Sequence, residues 1–264
     1  MTGPNPGDAE LLEFLRARRD ELVELARELV ATPSPNPPGD ERAAAALVTA
    51  RLRELGVHDV EAAAALEKRP NVLARAGAGG GRTLVLCGHL DTKPPGDLSE
   101  WRGDPYGASI EDGELYGVGS GDMKGAVAAM VYAAAAVETC GTRGTLRLVL
   151  TADEEAGSRL GAGWLAESGL LEGDAALVGE PCGVEREWEA VDVVSRGAAL
   201  FKVRVRGTQM HSSLSDRLPA VNATVHMARL ADRMDRELLG RLRYPPPALP
   251  GLVPTVNVGV TARA

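Results

Sequence analysis

The sequence predicts an α/β fold. Short apolar runs of strand length alternate with helical segments, and each motif rich in histidine or acidic residues follows directly on one of those runs. Near residue 195 the continuous apolar runs give way to alternating apolar and polar positions, as in a sheet with one wet face. We therefore divide the chain into residues 1–194, a metal-binding catalytic part, and residues 195–264, a smaller second domain.

Asp8 is placed to cap a helix whose one face carries Leu11, Leu12, Leu15, Leu22, Leu25, Leu29 and Val30. The Pro-rich stretch 32–39 ends it, and Asp40 caps an Ala-rich helix reaching about Leu55. Residues 57–64 and 72–76 read as strands, followed by a turn over 77–81. The apolar run 83–87 suits a strand buried on both faces. Loop and small strands fill 91–116, a helix runs over 123–138, and 145–150 is another buried strand. A helix over 161–168 and a short buried strand over 175–178 complete this part. In the second domain, 200–206 alternates as a strand, 220–239 is a helix, and 255–260 a further strand.

Composition narrows the function. Of 264 residues, 44% are hydrophobic and 25% charged, ordinary values that allow a sizeable core, and with only 3% aromatic that core leans on Ala, Val and Leu. The net charge of -8, with acidic and basic residues interleaved, argues against nucleic acid as a partner. No basic segment followed by an apolar run opens the chain, and no uninterrupted apolar stretch approaches the roughly 20 residues of a membrane helix. The three cysteines, Cys87, Cys140 and Cys182, form no CxxC pattern and read as reduced thiols. A cytoplasmic protein with no membrane partner is expected.

The chemistry lies in where the titratable residues fall. His89 and Asp91 follow the 83–87 strand, Asp122 opens the 123–138 helix, Glu154 and Glu155 follow the 145–150 strand, and Glu180 follows the 175–178 strand. In open α/β sheets the carboxyl ends of strands form the binding crevice. One histidine among several carboxylates there suits zinc, with cobalt or manganese compatible with the same donors. Taken singly, His-x-Asp is a common hydrogen-bonded turn, Asp122 a helix cap, Glu154-Glu155 a solvated loop and Glu180-Pro181 a turn. Their occurrence in order, each after an expected strand or at a helix start, favours the metal. The glycines of 117–121 do not make a nucleotide site: Asp122 stands where a dinucleotide fingerprint needs glycine, and Met123 where a P-loop does.

Gly88-His89-Leu90-Asp91-Thr92, Gly121-Asp122-Met123-Lys124-Gly125, Asp153-Glu154-Glu155-Ala156-Gly157 and Gly179-Glu180-Pro181 resemble the ordered signatures of a zinc-dependent amidohydrolase and peptidase family. That family contains acetylornithine deacetylase, succinyl-diaminopimelate desuccinylase, aminoacylase and glutamate carboxypeptidase. Gly207-Thr208-Gln209-Met210-His211-Ser212-Ser213, with Val221-Asn222-Ala223, is similar to its lid motif. The resemblance implies a zinc-aminopeptidase-like catalytic domain and a ferredoxin-like α+β lid that forms a homodimer, both incomplete here. It implies that His89 and Glu180 hold one zinc ion and that Asp122 bridges to a second, which Glu155 also binds. Asp91 would hydrogen-bond the far nitrogen of His89, and the peptide after Asp122 would be cis. Glu154 would be the general base, and His211 would reach a partner subunit's active site to stabilise the oxyanion.

The implied reaction is hydrolysis of an N-acyl amino acid or small peptide by metal-activated water. Relatives are longer and supply a late histidine to the second zinc, whereas here none follows His226. The expectation is a truncated chain with an incomplete second site and weak hydrolysis. The alternative is a catalytically silent binding or regulatory protein with a single metal.

Overall fold

A computed structural model of the chain describes residues 6–182, 191–195, 197–214, 216–244 and 253–259. They fall into two compact units, Met1–Glu187 and Trp188–Ala264.

The first unit opens with α1 (Pro6–Ala17), α2 (Arg19–Val30) and α3 (Arg42–Glu54). The helix expected from Asp8 is thus two helices, interrupted at Arg18, where φ is -113° and the guanidinium stacks on the Phe14 ring at 3.9 Å. There follow β1 (Asp59–Ala63), β2 (Asn71–Gly79) and β3 (Thr83–His89), then a small hairpin of β4 (Ser109–Glu111) and β5 (Glu114–Tyr116). After α4 (Gly125–Cys140) come β6 (Gly144–Thr151), α5 (Ala162–Glu167) and β7 (Ala175–Val178). The central sheet has the order β1-β2-β6-β3-β7, with antiparallel pairing on the β1 side and β3 parallel to both β6 and β7. The α/β expectation holds, as a mixed sheet.

Side chains alternate across this sheet because a strand has a period of two. Val72, Ala74, Leu86, Leu148 and Leu150 face one way and join Leu25, Leu29, Val48, Leu52, Val127 and Val131 of the helices in the main core. Leu73, Val85 and Val149 face the other way and pack with Leu165 of α5. The alanines of α4 (Ala128, Ala134 and Ala135 are fully buried) let that helix lie close on the sheet. Ser120–Cys140 is long and apolar enough by length and composition to cross a membrane when counted through the polar residues and the kink that precede α4. Of its apolar window, 56% is buried inside the unit.

One strand differs from expectation in its surroundings. β7 was expected to be buried, yet Leu177 and Val178 are 50% and 55% exposed. It is an edge strand bonded to β3 alone, and no described element covers it.

In the second unit, α6 (Ala223–Arg241) is capped by Asn222, whose Oδ1 accepts from the Val225 amide at 3.1 Å. Arg233–Glu237, Asp232–Arg236 and Glu237–Arg241 pairs run along its surface at helical spacing. The Thr208 amide donates to the Val221 carbonyl at 3.0 Å, and the Val221 amide to Thr208 Oγ1 at 3.1 Å. The strands expected at 200–206 and 255–260 do not form among the described residues; Val260 lies outside them. A strand exists only through its ladder, and no described segment pairs with 200–206, leaving Leu200 98% exposed. The ferredoxin-like sheet of this unit is therefore not formed in the described residues.

Gly161 ties the loop after β6 to the sheet. A Cβ there would lie 2.0 Å from the Ala152 carbonyl oxygen, a backbone atom with little room to yield. Gly161→Ala is expected to cost about 2 kcal/mol or more, read as a lowered midpoint in chemical denaturation.

Candidate metal centre

The site starts from the parallel register of β3 and β6, which sets Gly88 opposite Leu150 and His89 opposite Thr151. Both strands therefore end at the same level, and the Leu90 amide continues the contact to the Thr151 carbonyl at 2.8 Å. β7 runs parallel on the other side of β3, with Val178 opposite Cys87, so Glu180 emerges at the same edge. The fourth segment arrives from Gly119, whose φ of +81° and close approach to Thr92 (2.5 Å from a Cβ position to Cγ2) both demand glycine. From there Ser120–Lys124 forms a kinked wide turn with a cis Asp122–Met123 peptide before α4.

The imidazole of His89, 1% exposed, is the centre of the cluster. Its Nε2 lies 3.0 Å from Asp122 Oδ1 and 3.4 Å from Glu180 Oε1. Asp122 thus faces His89, and no side-chain cap bond is made at the start of α4. Ligand atoms of His89, Asp122 and Glu155 lie within 4.8 Å of one another, as do those of His89, Glu154 and Glu180. Glu154 and Glu155 belong to one short 3-10 turn, Glu154–Ala156.

Asp91 acts differently from the expectation. Its backbone carbonyl accepts from His89 Nδ1–H at 2.8 Å, whereas its carboxylate is 3.7 Å from that nitrogen. The carboxylate instead accepts from the amides of Glu154 (3.1 Å) and Glu155 (3.0 Å) and from Asn36 Nδ2 (2.8 Å). The tautomer of His89 is still fixed, by a main-chain group, and the carboxylate holds the glutamate-bearing turn. A neutral imidazole that donates through Nδ1 presents the Nε2 lone pair, and the neighbouring groups are all carboxylates, so the donor set fits a divalent ion.

The electrostatics agree with a cation site. Burial opposes the charged form of His89, but the Glu180 and Asp91 carboxylates outweigh it and raise the imidazolium to about 9. Hydrogen bonding to His89 holds Glu180 below the usual carboxylate range. Glu154 is pushed upward, first by burial, with Glu180, Glu155 and Asp91 adding to the effect against His89. Glu155 pairs through Oε2 with Lys93 Nζ at 2.7 Å, and the same ammonium donates to the Glu155 carbonyl at 2.6 Å. Burial brings Cys87 up to about 11, so it is a protonated thiol at neutral pH.

His211 lies in the second unit, exposed, with Nδ1 accepting from the Ser213 amide at 3.3 Å. No sequence pattern marks Asn36, Glu41, Arg69 and Lys124 as buried, yet all four are buried polar residues of the first unit. Lys124 Nζ donates to the Thr32 carbonyl at 2.6 Å, and burial lowers it to about 8. Its place inside the Gly-Asp-Met-Lys-Gly motif is the only sequence signal that any of the four offered.

Peptidase family M20/M25/M40 matches residues 85–253. A succinyl-diaminopimelate desuccinylase of Methylocella silvestris is 36% identical over 225 residues, covering 82% of this chain and 57% of the relative. Another, of Gluconacetobacter diazotrophicus, is 36% identical over 246 residues, covering 89% and 61%. The chain thus spans about three-fifths of the length of these relatives. Among solved structures, an M20 family metallo-carboxypeptidase from Sulfolobus solfataricus superposes with a TM-score of 0.53 at 23% identity, covering 60% of this chain and 37% of the other. Human carnosine dipeptidase 1 gives 0.51 at 25% identity, covering 63% and 38%. With the family model matching residues 85–253, more than half of this chain, the chain belongs to peptidase family M20/M25/M40.

Proposed function

We propose that this chain is a metal-dependent hydrolase that cleaves the amide bond of an N-acyl amino acid or small peptide. The observation that supports this most is the buried His89 with Asp122 and Glu180 oxygens 3.0 and 3.4 Å from its Nε2 and two further glutamates on the adjoining turn. His89, Asp122 and Glu180 would hold one ion, and Asp122 with Glu155 a second. Zinc is the ion these donors favour, with cobalt or manganese able to replace it. Such ions supply Lewis acidity toward water and the amide carbonyl.

The remaining roles fall to the protein. Glu154, raised above the ordinary carboxylate range by burial, takes the proton from the attacking water and returns it to the leaving amine. The Asp91 carboxylate keeps Glu154 on its turn through the amide bond at 3.1 Å. His211 is assigned to the oxyanion, from a lid and dimerisation domain taken to begin at residue 195, where it would serve the partner subunit. Exposed Leu200 and Phe201 favour a homodimer through that domain. The negative charge disfavours nucleic acid, and a cytoplasmic setting fits the cysteine usage. Because similar relatives are desuccinylases, N-succinyl amino acids are the first substrates to try.

A second reading is a silent protein with one metal, and the Lys93–Glu155 pair favours it, since that ammonium holds the carboxylate the second ion would need. Metal counting separates the two. After saturation with zinc and removal of free ion, elemental analysis should find about two ions per chain for the hydrolase and one or none for the silent protein. His89→Ala should remove the more tightly held ion in either case. Glu154→Ala should leave zinc bound while lowering turnover of an N-succinyl or N-acetyl amino acid by about a hundredfold or more. Unchanged turnover in that variant would exclude Glu154 as the base.

A further inference from the structure

Behind the Glu154–Glu155 turn lies a chain of buried polar side chains, none of them a proposed metal ligand. It begins at Glu41, 0% exposed, which precedes α3. Glu41 does not cap that helix; both its oxygens accept from Arg69, Oε2 from Nε at 2.7 Å and Oε1 from an Nη at 2.8 Å. The same Nη also donates to Asp153 Oδ1 at 3.1 Å. Asp153 receives two more bonds, from Asn36 Nδ2 at 3.2 Å and from the Leu160 amide at 3.1 Å on Oδ2. Asn36 in turn reaches Asp91, whose carboxylate holds the Glu154 and Glu155 amides.

Asp153 immediately precedes Glu154 and has φ +65°, a left-handed conformation that asparagine and aspartate tolerate best but that still needs holding. The fork of a guanidinium suits this task. It engages two carboxylates in fixed directions, which a lysine ammonium cannot reproduce. A buried ion pair contributes little net stability compared with an apolar pair of the same volume, so the arrangement calls for another explanation.

We propose that Arg69, oriented by Glu41, is a positioning residue that fixes the Glu154–Glu155 turn through Asp153, Asn36 and Asp91. This rests on the hydrolase reading only for what the turn is used for; the fixing of the turn is independent of it.

The test is amide hydrogen exchange of the whole metal-free chain, followed by NMR. In the paired variant Glu41→Met/Arg69→Met, which removes both charges of that pair and releases Asp153 from its guanidinium, exchange at Glu154 and Glu155 should quicken tenfold or more, while the β6 amides of Leu148 and Leu150 keep their rates. Arg69→Lys should not restore slow exchange. In a parallel zinc titration, the ion held through Glu155 should bind about tenfold or more weakly in the paired variant. Unchanged exchange at Glu154 and Glu155 overturns the proposal. Should the paired variant unfold, Asn36→Ser cuts the link between Asp153 and Asp91 while leaving Glu41 and Arg69 joined, and it must give the same local quickening. Quickening spread evenly over β6 in that variant also overturns the proposal, since it marks a general loss of stability. A wild-type chain that binds no zinc yet shows the local quickening in its variants keeps the positioning role and removes the hydrolase reading.

Discussion

The parallel pairing of β3 with β6 is the constraint from which the site follows. Their register ends both strands at one level, His89 opposite Thr151, so groups about sixty residues apart in sequence leave the sheet side by side. β7 adds Glu180 at the same edge. Binding crevices of open α/β sheets occupy this location because side chains just past the strands are no longer committed to the core. Here the apolar faces of β3 and β6 stay in the two cores, and the polar load falls on His89 at the very end of β3 and on the residues beyond the strands.

Gathering carboxylates in one place is unfavourable unless cations answer them. Among the described residues of the first unit, three cations pair directly with them. His89 retains its proton well above the ordinary imidazole range, Lys93 pairs with Glu155, and Arg69 balances Glu41 and Asp153 deeper in the unit. Arg69 stays charged in every state of the site. The proton on His89 and the ammonium of Lys93 are the two a divalent ion can replace, and they are also the two that contact proposed ligands. Asp91 joins these layers, with a carbonyl on His89 and a carboxylate on the turn that bears Glu154 and Glu155.

Much of this was legible in the sequence because local patterns carried it. The apolar runs 83–87 and 145–150 located two central strands, and the titratable residues just beyond them named the cluster. What was hidden depends on long-range contact. Asn36 in a Pro-rich stretch, Glu41 before a helix and Arg69 in a charged turn look like surface residues until the fold buries them together. Which group of Asp91 meets His89 is equally hidden, because spacing cannot tell the carbonyl of one residue from its carboxylate. The burial of β7 failed for a similar reason: Ala-Ala-Leu-Val reads as core whether or not anything covers the edge it joins. In the second unit, alternation at 200–206 was real, but a strand requires a neighbour that no local pattern can supply.

The central claim is that His89, Asp122 and Glu180 meet around one ion. Anomalous diffraction from crystals of this chain grown with zinc, collected on both sides of the zinc edge, tests it most directly. A strong peak is expected bonded to His89 Nε2 and to carboxylate oxygens of Asp122 and Glu180, at about 2.0–2.2 Å from each. Zinc found only elsewhere on the chain, with His89 still hydrogen-bonded to Asp122 in fully loaded crystals, would contradict it.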